Sequence, residues 1–274
     1  MRTNHIDGGA EFVTSDKLCS LHGFSTRVGG VSKLPHTSSL NLAFGRGDDR
    51  DTVLDNLRIF AESVGFDAER IVSVSQIHSA EVRYVDEKNA GQGYFCDEEF
   101  QCDGYVTDVG GIVLGVKTAD CVPILFEGYG RDGKLCAVGA AHAGWRGSVG
   151  GIAVKCLEAL LKLGALIDSV RVAIGPSICG ECFEVRRDFY ETVVDMRGKD
   201  FADKFVIPDG NRDGVWHCDL KEMNRALLIS AGVLTENIDV SDECSCCLPN
   251  RYFSHRYSRG ERGTMLSVIE MPRI

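Results

Sequence analysis

The chain has 274 residues, 44% hydrophobic and 26% charged, with 30 basic against 40 acidic side chains for a formal charge of −10. Such a chain is globular, with length enough for a sizeable core. Its acidic balance argues against a surface that coats nucleic acid, and no apolar run approaches the length of a membrane span. At the start, Met1 to Ser20 contains Asp7, Glu11 and Asp16 and lacks the apolar core of a signal peptide. Without an export signal, the twelve cysteines read as mostly reduced thiols of a cytoplasmic protein.

In chain order, a first helix is expected from about Asp51 to Val64, where Val53, Leu54, Leu57, Ile59, Phe60 and Val64 are apolar and Gly65 follows as a stop. β-rich runs come next: Ile71 to Val74, Glu81 to Val85, Asp103 to Thr107, Ile112 to Val116, Pro123 to Phe126 and Leu135 to about Ala141. A second helix is expected over about Val149 to Leu163, then a strand from Val170 to Ile174 and a third helix from about Arg186 to Met196. The fourth helix starts at Asp219, with Glu222 three residues on in an acidic variant of the capping box, and ends at Gly232. Two strands, Arg251 to Tyr257 and Met265 to Ile269, close the chain. Several strands in a row, without a Gly-rich dinucleotide fingerprint, fit a purely doubly wound sheet poorly. No linker or repeat divides the chain. The expectation is one α/β (α+β) domain with mixed sheets.

Three polar phrases interrupt these apolar runs: Gln76-Ile77-His78, Thr118-Ala119-Asp120-Cys121 and Ala141-His142-Ala143-Gly144-Trp145-Arg146-Gly147. Polar side chains at strand ends converge readily. His78, Cys121 and His142 make a three-ligand zinc set with a fourth position for water or substrate. Equally, the cysteine beside a histidine is a nucleophile and its base. Gln76 and His78 are two apart, so an extended strand would place them on one face. Pro123 is expected to end or edge its strand. His142 opens a Gly-Trp-Arg-Gly turn toward a helix starting near Ser148, whose N–H groups, with Arg146, suit an anion such as phosphate. Taken singly, each of these residues reads more simply as structure. A second thiol cluster, Cys179-x-x-Cys182 with Cys244, Cys246 and Cys247, is read as ordinary reduced thiols rather than a second metal site.

The wording of the motifs extends this reading. Gly23-Phe24-Ser25-Thr26-Arg27-Val28-Gly29-Gly30-Val31-Ser32, Ser39-Leu40-Asn41-Leu42, Gln76-Ile77-His78, Asp103-Gly104-Tyr105-Val106-Thr107, Thr118-Ala119-Asp120-Cys121-Val122-Pro123, His142-Ala143-Gly144-Trp145-Arg146-Gly147 and Ile174-Gly175-Pro176-Ser177-Ile178 follow one another in a familiar order. Together they resemble the YfiH-like family, once named multicopper polyphenol oxidoreductases or laccases, over a core of about residues 21–270 of the single domain 1–274.

That resemblance implies a layered α/β/β/α fold with mixed sheets and zinc on His78, Cys121 and His142. It implies phosphorolysis of purine nucleosides (adenosine, inosine and methylthioadenosine), together with adenosine deamination. Small nucleosides and phosphate are then the partners, with no nucleic acid and no membrane. The laccase label fits poorly, because seven mostly isolated histidines cannot hold several coppers. The alternative to a nucleoside enzyme is a thiol hydrolase, with Cys121 as nucleophile, that edits peptidoglycan precursors.

Arg27, Arg46, Arg146 and Arg256 are candidates for anion or ribose contacts, and Asn41 and Gln76 for hydrogen bonds to base or sugar. Zinc deaminases of the cytidine type place a glutamate in His-x-Glu. Here Glu81 stands at a different spacing from His78, which leaves Asp103 and Asp120 as candidates for moving a proton. The tail departs from the family pattern, with Arg259-Gly260-Glu261-Arg262-Gly263 in place of a Thr-Gly-Arg turn.

Overall fold

The helix expected near Asp51 forms as α1 (Arg50–Val64) in the computed structural model, which describes residues 1–273. Asp49 caps it, its side chain accepting a 2.7 Å hydrogen bond from the Thr52 N–H. The remaining helices are α2 (Trp145–Gly150), α3 (Ile152–Lys162), α4 (Arg187–Arg197), α5 (Lys199–Phe205), α6 (Leu220–Ser230) and α7 (His255–Ser258). Asp219 caps α6 as expected, accepting from the Glu222 N–H at 3.0 Å. No helix among the described residues is long and apolar enough to cross a membrane.

In chain order the strands are β1 (Arg2–His5), β2 (Glu11–Thr14), β3 (His22–Ser25), β4 (Ile71–Val72), β5 (Val82–Tyr84), β6 (Gly104–Thr107), β7 (Val113–Thr118) and β8 (Val122–Tyr129). They continue as β9 (Leu135–Ala143), β10 (Arg171–Ile174), β11 (Glu184–Val185), β12 (Val206–Pro208), β13 (Trp216–Cys218), β14 (Ile238–Val240) and β15 (Met265–Glu270). One six-stranded sheet runs β1-β2-β3-β15-β7-β4 and another β14-β10-β8-β9-β6-β5, with a small sheet β11-β13-β12 beside them. Both large sheets are mixed: β4 joins β7, β14 joins β10 and β5 joins β6 in parallel, while the other pairs are antiparallel.

Period-2 alternation sorts the side chains into layers. On β8, Leu125 joins Phe24, Leu114 and Val138 between the two large sheets. Its neighbours Ile124 and Phe126 face the other way, against Ile152 and Leu157 of α3 and Leu228 of α6. On the far side, Leu57 and Phe60 of α1 cover Ile71, Val113 and Leu266 of the first sheet. The order is therefore helix, sheet, sheet, helix. Each fully buried Leu, Ile or Phe in these layers contributes about 1.5–3 kcal/mol by leaving water.

Four local expectations need correction. The helix expected over Val149 to Leu163 is two helices, because Gly151 adopts φ +79° and ends α2 one residue before α3 begins. α2 itself starts at Trp145 rather than near Ser148, and its Gly-rich sequence carries no apolar period to announce it. The run Arg251 to Tyr257 is not a strand. Tyr252 and Phe253 are buried with Ala119 and Met265, and Ser254 caps α7 by accepting from the Tyr257 N–H at 3.1 Å. The adjacent aromatic residues Tyr252 and Phe253 imitated a strand, and a serine cap with local burial overrode them.

Pro123 neither ends nor edges a strand: it is the second residue of central strand β8. Its carbonyl accepts from Gly175, just past the end of β10. The N–H that proline lacks would point the same way, where the ladder has already stopped.

Candidate metal centre

The register of the second sheet builds the site. β8 and β9 are antiparallel, with Pro123 opposite His142 and Val122 opposite Ala143, so Cys121 at the head of β8 lies beside the end of β9. His78 arrives from a third direction, on the loop after β4. That loop is not extended as expected: His78 sits at φ +58°, so Gln76 and His78 do not share a strand face. The His78, Cys121 and His142 ligand atoms nevertheless lie within 4.8 Å of one another, and the two imidazole rings meet edge to face at 5.0 Å. Gly144 completes the cradle. A Cβ there would stand 2.7 Å from His78 Nδ1 and 3.4 Å from Cys121 Sγ.

Asp103, fully buried, holds the site from behind. Its Oδ2 accepts from the Ile77 and Ser79 N–H groups at 3.3 and 2.7 Å and from the Ser79 hydroxyl at 2.7 Å, and its Oδ1 accepts from the His78 N–H at 3.0 Å. Oδ1 also lies 2.8 Å from His142 Nδ1, which donates to it and so leaves Nε2 as the free ligand atom. Burial alone would raise the Asp103 pKa, but His142 and Ser79 hold the carboxylate below its usual range. Burial likewise works against the His142 imidazolium, while the Cys121 sulfur and Asp103 hold its pKa up at about 9. His78 moves the opposite way, lowered by burial and by the neighbouring charge of His142.

Asp120, at φ +97°, is equally engaged. Its Oδ1 accepts from the Ser245 hydroxyl at 2.7 Å and its Oδ2 from the Arg256 N–H at 2.6 Å. Asp103 and Asp120, the two candidates for moving a proton, have both carboxylate oxygens engaged in hydrogen bonds. Both position chain segments. Glu81 is exposed and ion-paired with Arg83, outside the site.

The three ligands open into a cleft of about 330 Å³ that also includes Phe44, Arg46, Gln76, Glu98, Lys117 and Arg262. Gln76 is pinned there, its Nε2 donating to the Lys117 carbonyl and its Oε1 accepting the Lys117 N–H, each at 2.7 Å. Arg46 lines the cleft and is exposed.

The other candidates lie outside it. Arg27 donates to the Ser38 and Pro249 carbonyls at 2.8 Å each and stacks over Phe253. Asn41 is fully buried, donating to Asp48 at 2.9 Å and accepting from the Thr264 N–H at 3.0 Å. Arg146 is exposed, with its guanidinium 4.2 Å over the Trp145 ring. Arg256 donates to the Cys182 and Glu184 carbonyls at 2.7 and 2.9 Å. These four side chains tie loops or cover rings and are not among the residues lining the cleft, although the Arg146 charge acts on His78.

Two cations were not anticipated. Burial lowers the Lys117 pKa to about 8, with Glu98 opposing and Arg46 adding to the fall, and its Nζ donates to the Ser73 carbonyl at 2.9 Å. Burial also lowers Arg262, to about 10, and its Nε is buried without a partner. Lys117 reads in the sequence as the polar position of an apolar strand, and Arg262 as one arginine of a polar turn. Only the cleft gives them a common target.

A larger cleft of about 440 Å³ lies near β13, but its imidazole, His217, is tied to Asp209 at 3.1 Å. Among the described residues, two groups of side chains are placed to hold an ion: His78–Cys121–His142, and Cys179–Cys182–Cys244–Cys247. One thiolate and two imidazoles suit zinc, whereas a multicopper centre needs more histidines than gather at either group.

Fold and site together define the class. The chain belongs to the family described as multi-copper polyphenol oxidoreductase laccase, whose model matches residues 21–272. It is 35% identical over 265 residues to a purine nucleoside phosphorylase of Deinococcus radiodurans, covering 97% of this chain and 94% of that one. It is 37% identical over 240 residues to the adenosine deaminase RL5 of an unidentified prokaryote, covering 86% and 88%. The crystal structure of YlmD from Geobacillus stearothermophilus superposes with a TM-score of 0.82 at 34% identity, covering 99% of each chain.

Proposed function

We propose that this protein is a zinc-dependent purine nucleoside phosphorylase acting on adenosine, inosine and methylthioadenosine. The observation that carries the reading is the joining, in one cleft, of a His2Cys ligand set with the half-buried cations Lys117 and Arg262. His78, Cys121 and His142 would hold the metal; when bound, it supplies a Lewis acid toward substrate oxygens. Asp103 fixes the His142 tautomer, so that Nε2 faces the ligand set.

Phosphate binds against Lys117, Arg262 and Arg46, where a partly dry site strengthens each charge-assisted hydrogen bond. Phe44 offers an aromatic face to the purine. A phosphate oxygen attacks the anomeric carbon as the bond to the base nitrogen breaks, giving free base and ribose-1-phosphate, or its 5-methylthio counterpart from methylthioadenosine. Glu98 is the carboxyl that lines the cleft, and it manages the proton that the departing base requires.

A second reading, adenosine deamination in the same cleft, draws on the name of one relative. The thiol-hydrolase alternative draws on the line Asp103–His142–Cys121. Against it stands His78, which a nucleophile–base pair does not need and a metal does.

One experiment separates all three. The protein is analysed for metal and incubated with adenosine, with and without phosphate. Adenine and ribose-1-phosphate that form only with phosphate support phosphorolysis; inosine formed without phosphate supports deamination. A metal-free protein with an alkylatable Cys121 and no turnover of either kind would sink the proposal.

A further inference from the structure

The second thiol group lies outside the cleft. Cys179 and Cys182 are on the loop after β10, and Cys244 and Cys247 on the loop after β14. Read from Cys244, the second pair is also C-x-x-C, so the chain carries two such knuckles. β10 and β14 run parallel, with Ile174 opposite Val240, which delivers both loops to the same end of the sheet. A bridge between Ser177 and Cys244 continues that pairing.

We propose that Cys179, Cys182, Cys244 and Cys247 form a second, structural metal site that binds zinc through four thiolates. Their sulfur atoms lie within 4.8 Å of one another, with Cys182 and Cys247 at 3.4 Å. A tetrahedral zinc–thiolate centre, with bonds of about 2.3 Å, sets its sulfurs about 3.8 Å apart, so the group is already near its ligating size. The backbone favours the anionic sulfur: Cys244 Sγ accepts from the N–H groups of Cys179 and Cys247 at 3.2 and 3.4 Å. Binding displaces one proton to solvent from each thiol that was protonated. Cys247 is exposed, which gives the ion an entry path, and Cys246 lies outside the group.

The position explains why a tie is needed there. Residues 241–254 run from β14 to α7 without helix or strand apart from the Cys244 bridge, and a loop of that length needs a constraint to keep one conformation. This loop touches the cleft. Ser245, inside the second knuckle, donates to Asp120, and the Ile178 N–H, beside the first knuckle, donates to the Asp120 carbonyl at 3.0 Å. Asp120 precedes Cys121. The second ion thus holds the segment that presents Cys121, although its own binding does not depend on what the cleft catalyses.

The test uses the full chain, produced with zinc and purified anaerobically under a thiol reductant, then weighed by native mass spectrometry. Two zinc ions per wild-type chain are expected. Cys121→Ala should keep one ion, whose X-ray absorption shows sulfur ligands alone, even if the phosphorylase reading fails. Cys247→Ser should lose that ion and weaken the hold on Asp120; because the wild-type count stands by itself, a misfolded variant does not decide the matter. A Cys121→Ala protein without zinc would overturn the proposal, as would four cysteines alkylated equally fast with and without zinc. A Cys182–Cys247 disulfide that persists in reductant, seen as a loss of two hydrogens, would overturn it as well.

Discussion

Gly144 separates the ligand set from the helix that follows it. Its backbone, at φ −62° and ψ 166°, is open to any residue, so the glycine answers to space and not to backbone geometry. Gly144→Ala should cost no more than about 1 kcal/mol of stability, the usual difference at a helix N-cap. Its methyl group, however, meets His78 Nδ1 at 2.7 Å and must push that ring away from Cys121. Expected are an unchanged fold by circular dichroism, reduced metal content and a kcat/KM at least ~10-fold lower, since small misplacements of catalytic groups are costly. Wild-type metal content and turnover in this variant would refute the ligand assignment.

Lys117 supplies the pH dependence. Its burial-lowered pKa of about 8 means that the ammonium is present below that pH and lost above it. The KM for phosphate should therefore rise as pH climbs through about 8. Lys117→Met should raise that KM roughly 10–100-fold at neutral pH, as expected for removing one charge-assisted hydrogen bond. It should also flatten the step once phosphate's own ionisation, common to both proteins, is divided out. A step of equal size in both proteins would exclude Lys117 as the phosphate cation.

At the scale of elements, the α2–α3 break is decided by Gly151. In a non-glycine residue the left-handed conformation at φ +79° costs about 1–2 kcal/mol. A Cβ there would also meet the Arg197 guanidinium at 2.6 Å, the same side chain that donates to the Val149 carbonyl at 2.7 Å. Gly151→Ala should lower stability by roughly 1–3 kcal/mol, seen as a lower denaturant midpoint at unchanged slope. A wild-type midpoint would show that one continuous helix is tolerated.

The same scale shows what could be read in advance. α1 and α6 were legible because each carries an apolar stripe, ended by Gly65 in α1 and opened by the Asp219 cap in α6; the Asp49 cap of α1 was not read. α2 was not, since six residues with two glycines and only Gly147, Ser148 and Val149 buried have no period to read. α5 and α7, at seven and four residues, are too short for an apolar period to show, and α5 has no side-chain cap.

At the scale of the whole molecule, two mixed sheets stacked face to face place the ends of β8 and β9 beside the loop after β4. The cleft and the four-cysteine group both lie where loops leave these sheets, and Asp120 links them. Residue types, caps and the period of the apolar runs were enough to determine α1, α4, α6 and the strands β4 to β10 and β15, and which two histidines and one cysteine to examine; the wording of the motifs carried the family, and β1 to β3 and β11 to β14 were not read. They could not determine which arginines face the cleft. Arg27, Asn41, Arg146 and Arg256 are not among the residues lining the cleft, whereas Lys117 and Arg262, which also bond the Ser73 and Gly263 carbonyls, line it from strands and turns far apart in the chain. Periodicity and capping are local and act within a few residues. Convergence, desolvation and the pairing of the two thiol knuckles arise only from long-range strand register, and so belonged to the tertiary structure alone.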